Sequence, residues 1–164
     1  MNARGPVVGI VDTSLRDTHQ SSVSPRLETR EILPIAARLD QVGYRAIEVW
    51  GGGTFDVCLR WAHEDPWERL RAIARVLPRT PIRAILRGPF LLGYHPYPPE
   101  VQEAFLAAAV GCGLKSFRIY DAMNDVRNVV PIVRRARAAG AEVFGTLVYT
   151  RSPHHNTETF IALA

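Results

Sequence analysis

Short apolar runs alternate along this chain with longer segments of helical periodicity. The first run, residues 7–11, is rich in β-branched side chains and stops at polar residues, a pattern that predicts a strand buried on both faces. Four further runs have the same character and occupy residues 46–50, 82–86, 116–120 and 143–148. The hydrophobic pattern therefore predicts five strands.

The segments between these runs place apolar residues three and four positions apart, which is typical of amphipathic helices. Three such faces comprise Ile32, Ile35, Ala36 and Leu39; Trp67, Leu70, Ala74 and Leu77; and Val129, Ile132, Val133 and Ala136. Asp65 and Pro66 are predicted to begin a helix as N-cap and first helical residue. Gly43, Gly113 and Gly140 are predicted to end helices in the left-handed conformation.

Strands that alternate with helices imply an α/β fold with parallel strands and right-handed crossovers. A complete barrel needs about 250 residues, whereas this chain has 164. Two architectures fit: a (β/α)8 TIM-barrel type truncated after about five strands, or an open doubly wound sheet of five strands. Periodicity alone does not separate them.

Composition excludes several other classes. With 47% hydrophobic and 22% charged residues the chain is expected to bury a core. The net charge of +4 comes almost wholly from scattered arginines, since Lys115 is the only lysine, and this argues against a nucleic-acid-binding stripe. Cys58 and Cys112 lie far apart and no apolar leader precedes them, so a cytoplasmic location without a disulfide framework is expected. No apolar stretch approaches the ~18 residues of a membrane span.

Function in either architecture belongs to the carboxyl ends of the strands. The segments that follow the five predicted strands are polar and distinctive, and they occupy residues 12–20, 50–56, 87–94, 121–125 and 149–153. Candidate functional residues are therefore expected there.

Two sets of residues carry a resemblance to a known family. Residues 12–17, Asp-Thr-Ser-Leu-Arg-Asp, resemble the opening signature of metal-dependent barrel enzymes that include isopropylmalate synthase, hydroxymethylglutaryl-CoA lyase and carboxyltransferases. The chain further resembles the carboxyltransferase domain of pyruvate carboxylase, the oxaloacetate decarboxylase α subunit and the transcarboxylase 5S subunit, at residues 19–21, 50–56, 64–67, 86–88, 93–94 and 117–125. The resemblance implies that residues 1–164 are the N-terminal part of a pyruvate carboxyltransferase-type barrel domain.

This resemblance implies carboxyl transfer between carboxybiotin and pyruvate or oxaloacetate, through an enolpyruvate stabilised by a metal and by arginine. It implies a divalent metal, namely zinc, manganese or cobalt, and a biotin carboxyl carrier domain as partner. Arg16, Gln20 and Arg87 match residues that contact the keto acid, Asp17 matches a metal ligand, and Asp56, Tyr94 and Asp121 are assigned to the substrate and biotin pocket. An arginine fork suits a carboxylate because it donates two parallel hydrogen bonds, and an enolate oxygen needs a cationic partner.

Purely structural explanations stand beside these roles. Asp17 has the residue type of a helix cap or turn former. Arg87 has Glu48 and Asp121 as possible ion-pair partners at neighbouring strand ends. Asp121 and Asn124 are equally suited to cap the fourth helix.

Two other motifs are weaker. Adjacent His154 and His155 point to opposite faces of an extended backbone, which disfavours one shared metal ion. Residues 51–53 are three glycines without the lysine of a phosphate-binding loop, so they are expected to let the backbone pass close to a ligand or a neighbouring strand.

The family completes its site with a carboxylated lysine, a His-x-His pair and a threonine, and none has a counterpart here. The chain is therefore expected to be inactive alone and to need the C-terminal half of the barrel as a partner. Two other functions stay open: an acyl-CoA lyase or synthase of the wider metal-dependent group, and a non-catalytic remnant or half of a split enzyme that pairs through open sheet edges.

Overall fold

The computed structural model describes residues 8–21 and 27–164, without the side chains of His19 and Gln20. The strands are β1 Val11–Asp12, β2 Ala46–Trp50, β3 Ile82–Arg87, β4 Ser116–Tyr120 and β5 Glu142–Thr146. The helices are α1 Ser14–Ser21, α2 Thr29–Leu39, α3 Gly52–Val57, α4 Pro66–Val76, α5 Pro99–Gly111, α6 Val126–Ala138 and α7 Thr157–Leu163. A π-helical turn, Cys58–Ala62, continues α3, and a 3-10 turn, Gly88–Phe90, follows β3.

The five strands are parallel and lie side by side in chain order, β1-β2-β3-β4-β5. A doubly wound sheet reverses direction at a switch point, so this order excludes that architecture and confirms the truncated barrel type. Arg45 precedes β2, yet its Nη2 lies 3.3 Å from Glu142 Oε1 on β5. Flat strands three places apart would be separated by about 14 Å. The contact agrees with a sheet that curves into half a barrel.

The core lies between the convex face of the sheet and the helices. Ala84, Leu86, Phe117 and Ile119 alternate along β3 and β4 and are fully buried there, as expected of a parallel sheet covered by crossover helices. At the end of β2 the register with β3 shifts between Glu48 and Trp50. Trp50 packs there in an aromatic cluster with Phe55, Trp67 and Phe105.

The predicted helix ends are confirmed except for Gly43. Asp65 accepts a hydrogen bond from the backbone N–H of Trp67, and Pro66 is the first residue of α4. Gly43, Gly113 and Gly140 have φ angles of 85°, 105° and 90°. A residue with a Cβ would be strained in that left-handed region. Gly113 and Gly140 directly follow the C-caps of α5 and α6 and end these helices. The prediction for Gly43 was wrong, because α2 ends at Leu39 with Asp40 as C-cap and Gly43 lies in the turn that follows. No helix in residues 8–21 and 27–164 is long and apolar enough to cross a membrane.

The prediction for the first strand was wrong in its details. Its ladder pairs only Val11 and Asp12 with β2, and Val8 and Ile10 are exposed rather than buried; Val7 lies outside the described residues. β1 is an edge strand and receives cover from one neighbour only. Two smaller corrections concern β3, which also includes Arg87, and β5, which ends at Thr146 instead of residue 148.

Candidate functional site

A cavity of about 560 Å³ opens at the carboxyl ends of the strands. Four of the predicted site residues line it: Arg16, Asp56, Arg87 and Tyr94. They come from α1, α3, the end of β3 and the loop that follows it, so the fold brings together residues that are far apart in the sequence. Gly52, Gly53, Val57, Trp61, Ile85, Leu91, Leu92, Gly93 and Tyr120 complete the described lining.

Arg16 is held by two carboxylates. Its Nε donates to Glu48 Oε1 at 3.0 Å, and its Nη1 donates to Asp17 Oδ1 at 2.7 Å. The Arg16 side chain is 12% exposed, whereas that of Asp17 is 46% exposed. The Arg16 guanidinium therefore lies at the wall of the cavity, and the two carboxylates fix the orientation of its plane.

Glu48 pairs with a second arginine, Arg118. Arg118 donates from Nε to Oε2 and from Nη2 to Oε1 of Glu48, both at 2.9 Å. This bidentate contact raises the pKa of Arg118, although partial burial acts against the charge. The Glu48 side chain is completely buried, so one carboxylate on β2 joins α1 to β4.

Arg87 does not pair with Glu48 or Asp121, the partners considered from sequence. Its Nε donates to the hydroxyl of Tyr120 at 3.2 Å, across the ladder from β3 to β4. Glu48 is already engaged by Arg16 and Arg118. Arg87 therefore faces the cavity beside a neutral hydrogen-bond partner.

Tyr94 and Asp56 form a hydrogen-bonded pair at the mouth of the cavity. The Tyr94 hydroxyl donates to Asp56 Oδ2 at 2.7 Å, and this bond raises the pKa of the Tyr94 phenol. Asp56 Oδ1 also lies 3.4 Å from Arg60 Nε on the π-helical turn. Tyr94 is 64% exposed, so the pair presents a polar edge to solvent.

The glycines after β2 allow close packing beneath Arg16. A Cβ on Gly51 would lie 2.8 Å from Cγ2 of Ile85 and 3.3 Å from Cδ of Arg16. A Cβ on Gly52 would lie 3.0 Å from the carbonyl oxygen of Leu92. The geometry agrees with the close approach predicted for residues 51–53.

Asp121 and Asn124 do not cap the helix after β4. The N-cap of α6 is Asp125, which accepts from the backbone N–H of Arg127. Asp121 instead accepts from the backbone N–H groups of Met123 and Asp125 and from the Asn128 side chain. This folds the loop after β4, and it sets Asp121 apart from the described lining of the 560 Å³ cavity.

The residues described here do not form a metal site by themselves. Across residues 8–21 and 27–164, apart from the side chains at 19 and 20, no three His, Cys, Asp or Glu residues are grouped so as to hold an ion. Asp17 is engaged by Arg16, and His155 Nδ1 shares a hydrogen bond with Ser152 Oγ at 2.8 Å. The backbone of Gln20 belongs to α1, but its side chain lies outside the described residues.

Sequence reasoning missed the contribution of Glu48, Arg118, Trp61 and Tyr120. The available signal was a charged residue within an otherwise apolar strand, since Glu48 and Arg118 interrupt the runs of β2 and β4. Charged side chains are almost never fully buried unless they are paired. A paired role was therefore inferable for both, but their partner in space was not.

No protein-family model matches the chain. It is 47% identical over 158 residues to a pyruvate carboxylase subunit of Methanocaldococcus jannaschii, covering 96% of this chain and 28% of that protein. It is 41% identical over 157 residues to the methylmalonyl-CoA carboxyltransferase 5S subunit of Propionibacterium freudenreichii subsp. shermanii, covering 96% of this chain and 31% of the relative. The chain thus spans less than a third of the length of these curated relatives.

Solved structures agree in fold. The carboxyl transferase domain of Rhizobium etli pyruvate carboxylase with 3-bromopyruvate superposes with a TM-score of 0.89 at 32% identity, over 95% of this chain and 28% of that one. The same domain with pyruvate and biocytin gives a TM-score of 0.88 at 32% identity, with the same coverage. The chain is therefore a homologue of the N-terminal part of the carboxyltransferase proteins of biotin-dependent carboxylases and has the fold of half their barrel.

Proposed function

We propose that the cavity binds a small 2-keto acid, pyruvate or oxaloacetate, and serves carboxyl transfer to or from biotin on a carrier domain. The observation that carries this proposal is the convergence of Arg16 and Arg87 on one cavity at the carboxyl ends of the strands. A planar guanidinium matches a carboxylate in charge and geometry. Residues 1–164 are, on this proposal, the N-terminal part of a pyruvate carboxyltransferase-type barrel domain.

The chemistry that the cavity would serve passes through enolpyruvate. In the direction of oxaloacetate, a methyl proton leaves pyruvate for the biotin nitrogen, the N–C bond of carboxybiotin breaks, and a C–C bond forms at the methylene carbon. The enolate oxygen becomes negative and needs fixed cationic donors. Arg16 and Arg87 supply such donors, and Gln20 is proposed as a further contact to the keto acid.

The second part of the cavity is proposed to receive the biotin ring. Asp56 and Tyr94 offer a carboxylate and a hydroxyl at its mouth, where a carrier domain has access from solvent. Asp121 stays a prediction for this pocket, and its contacts favour an indirect role in which it holds the loop after β4.

Asp17 is the one described residue that we propose as a ligand of a divalent metal. Asp17 is proposed as one ligand of a zinc, manganese or cobalt ion whose other ligands come from polypeptide beyond the described residues, since catalytic sites use about three protein ligands. When bound, such an ion polarises the keto oxygen. In the described structure Asp17 serves as an acceptor for Arg16.

The test is a chimeric enzyme. The present chain replaces the matching 158 residues of the M. jannaschii protein, and oxaloacetate decarboxylation is measured in the presence of biotin. Arg16→Lys and Arg87→Lys are each expected to lower kcat/KM by at least about tenfold, because lysine cannot donate as a planar fork. Arg79→Lys, at the opposite end of the sheet, is the matched control. Equal activity of all three variants would remove both arginines from the site.

Activity of the isolated chain is a separate question. We propose that it does not turn over oxaloacetate alone, and that adding the remaining part of the M. jannaschii protein in trans restores part of the activity through pairing at open strand edges. Turnover by the isolated chain above the rate of free metal in buffer would contradict this.

A further inference from the structure

We propose that Glu48 is a positioning residue, which orients Arg16 for the substrate and thereby sets the affinity of the cavity for a keto acid. This inference rests on the proposed function and deepens it. Glu48 lies in the middle of β2 and is not among the described residues that line the cavity. It acts through Arg16, whose Nε donates to it at 3.0 Å.

The Glu48 side chain is completely buried. A fully buried carboxylate is costly unless it is paired and hydrogen-bonded. Both oxygens of Glu48 are used: Oε1 accepts from Arg16 Nε and Arg118 Nη2, and Oε2 accepts from Arg118 Nε. The fold therefore satisfies Glu48 with two guanidinium groups from two different elements.

Glu48 fixes the position of the Arg16 guanidinium in the free protein. A guanidinium on a flexible side chain loses rotamer freedom when it is fixed, and that loss weakens ligand binding unless the free protein already fixes it. Arg16 is fixed at Nε by Glu48 and at Nη1 by Asp17. Its stem passes over Gly51, where a Cβ would lie 3.3 Å from Cδ. Of the two carboxylates described here, Glu48 is completely buried whereas Asp17 is partly exposed. Glu48 is therefore the less mobile partner of Arg16.

Arg118 balances a negative charge beside the cavity. Glu48 and Asp17 carry two negative charges, and Arg16 and Arg118 carry two positive ones, so these four groups are neutral together. Without Arg118, the two carboxylates would leave a net negative charge around Arg16 and reduce its attraction for an anion. Arg118 thus lets Glu48 orient Arg16 without a net negative charge, and Arg87 adds a positive one at the cavity.

The experiment separates orientation from charge. Oxamate, an unreactive isostere of pyruvate, is titrated by isothermal calorimetry into the chimera in which this chain replaces the matching 158 residues of the M. jannaschii protein, with folding checked by circular dichroism. Glu48→Gln removes a negative charge, so a purely electrostatic role predicts tighter oxamate binding. A positioning role predicts weaker binding, and we expect the Kd to rise about tenfold. Tighter or unchanged binding by a folded Glu48→Gln chain would overturn the proposal.

A second variant keeps the charge and moves it. Glu48→Asp withdraws the carboxylate from Arg16 by one methylene group, and we expect a Kd increase in the same direction. Glu48→Asp also serves as the test variant if Glu48→Gln does not fold. Glu64→Gln, which breaks a buried ion pair away from the cavity, is the control for general loss of stability and is expected to bind oxamate as the wild type does. A Glu48→Asp chain with wild-type affinity would contradict positioning.

The outcome for the wild type distinguishes this inference from the proposed function. Absence of oxamate binding by the folded chimera with wild-type residues would overturn the keto-acid site and the positioning role with it. Binding that is lost in Arg16→Gln but retained in both Glu48 variants would leave the keto-acid site standing and overturn only the role of Glu48.

Discussion

The side-chain amide of Asn124 forms two hydrogen bonds with the backbone of Val148. Its Oδ1 accepts from the Val148 N–H at 2.7 Å, and its Nδ2 donates to the Val148 carbonyl at 2.9 Å. Asn124 is buried and has a φ of 58°, a conformation that asparagine tolerates better than most residues. The pair ties the loop after β4 to the segment after β5.

Asn124→Gly and Asn124→Ala separate the two contributions of this residue. Glycine keeps the left-handed backbone and loses the hydrogen bonds, which are expected to stabilise the fold by about 1 kcal/mol each. Alanine adds a backbone cost of about 1 kcal/mol. In denaturant unfolding, the wild type should be the most stable, the glycine variant less stable and the alanine variant the least stable. Amide hydrogen exchange at Val148 should be faster in both variants than in the wild type. Unchanged exchange at Val148 would show that the contact does not persist in solution.

An ion pair between a buried arginine and a partly exposed glutamate joins α4 to the loop that precedes it. Arg69 is 2% exposed, and its Nη2 lies 2.6 Å from Glu64 Oε2. Glu64→Gln leaves a buried guanidinium without its counter-ion, so we expect a loss of about 3 kcal/mol in the free energy of unfolding at neutral pH. Glu68→Gln breaks the exposed pair with Arg71 and should cost at most about 1 kcal/mol. Equal losses would contradict the role of burial.

The effect of Glu64→Gln should depend on pH. Burial tends to raise the pKa of Glu64, but hydrogen bonds from Thr29 and Arg69 outweigh it and lower the pKa. The contribution of the carboxylate is present above about pH 4.3, the ordinary pKa of glutamate in an unfolded chain. It is lost as the pH falls through the lowered folded value. The stability difference between wild type and variant should therefore narrow in acid, as measured by urea unfolding at a series of pH values.

Cys58 is expected to resist alkylation in the native state. It is completely buried, and burial raises its pKa to about 11, while the thiolate is the reactive form. Iodoacetamide at about pH 8.5, near the ordinary thiol pKa, should leave Cys58 unmodified in the folded chain and modify it in urea, as read by peptide mass spectrometry. Stability should fall as the pH rises from about 8.5 towards 11, because the unfolded chain ionises first. Fast native labelling at Cys58 would contradict its burial.

Gly51→Ala should disturb the site through sterics alone. The new Cβ would meet a methyl group of Ile85 at 2.8 Å and the stem of Arg16 at 3.3 Å. Overpacking of this kind costs about 1 to 3 kcal/mol, and a displaced Arg16 should weaken oxamate binding. Gly111→Ala, where an added Cβ meets nothing within 4 Å, is the matched control. Unaltered stability and oxamate affinity in Gly51→Ala would contradict this prediction, because they would show that the backbone accommodates the added Cβ without loss of free energy.

The sequence predicted the centre of the sheet better than its edges. The bounds of β2 and β4 agree with the apolar runs because both strands are covered on each side by neighbours. β1 and β5 differ from prediction because each pairs on one side only in the described sheet. Where an edge strand ends depends on its partner's length and curvature, which local hydrophobicity does not encode.

The candidate site was predictable to the same partial extent. The rule that function lies at the carboxyl ends of parallel strands located the segments that contain Arg16, Asp56, Arg87 and Tyr94. The family resemblance singled out these four residues, and they line one cavity. The pairing of Glu48 with Arg118 was not predictable, because it depends on the register and curvature that bring β2 and β4 together.

Every strand of this sheet after the first pairs with the strand that the ribosome synthesises immediately before it. Each new pairing closes only one crossover, and the entropy of that closure grows slowly with its length. The sheet can therefore grow one strand at a time during translation. Glu48, in contrast, depends on a strand made much later, since Arg118 follows it by 70 residues. At cellular rates of synthesis that interval is on the order of 10 s, and during it the nascent sheet carries a carboxylate whose second guanidinium has not yet been made.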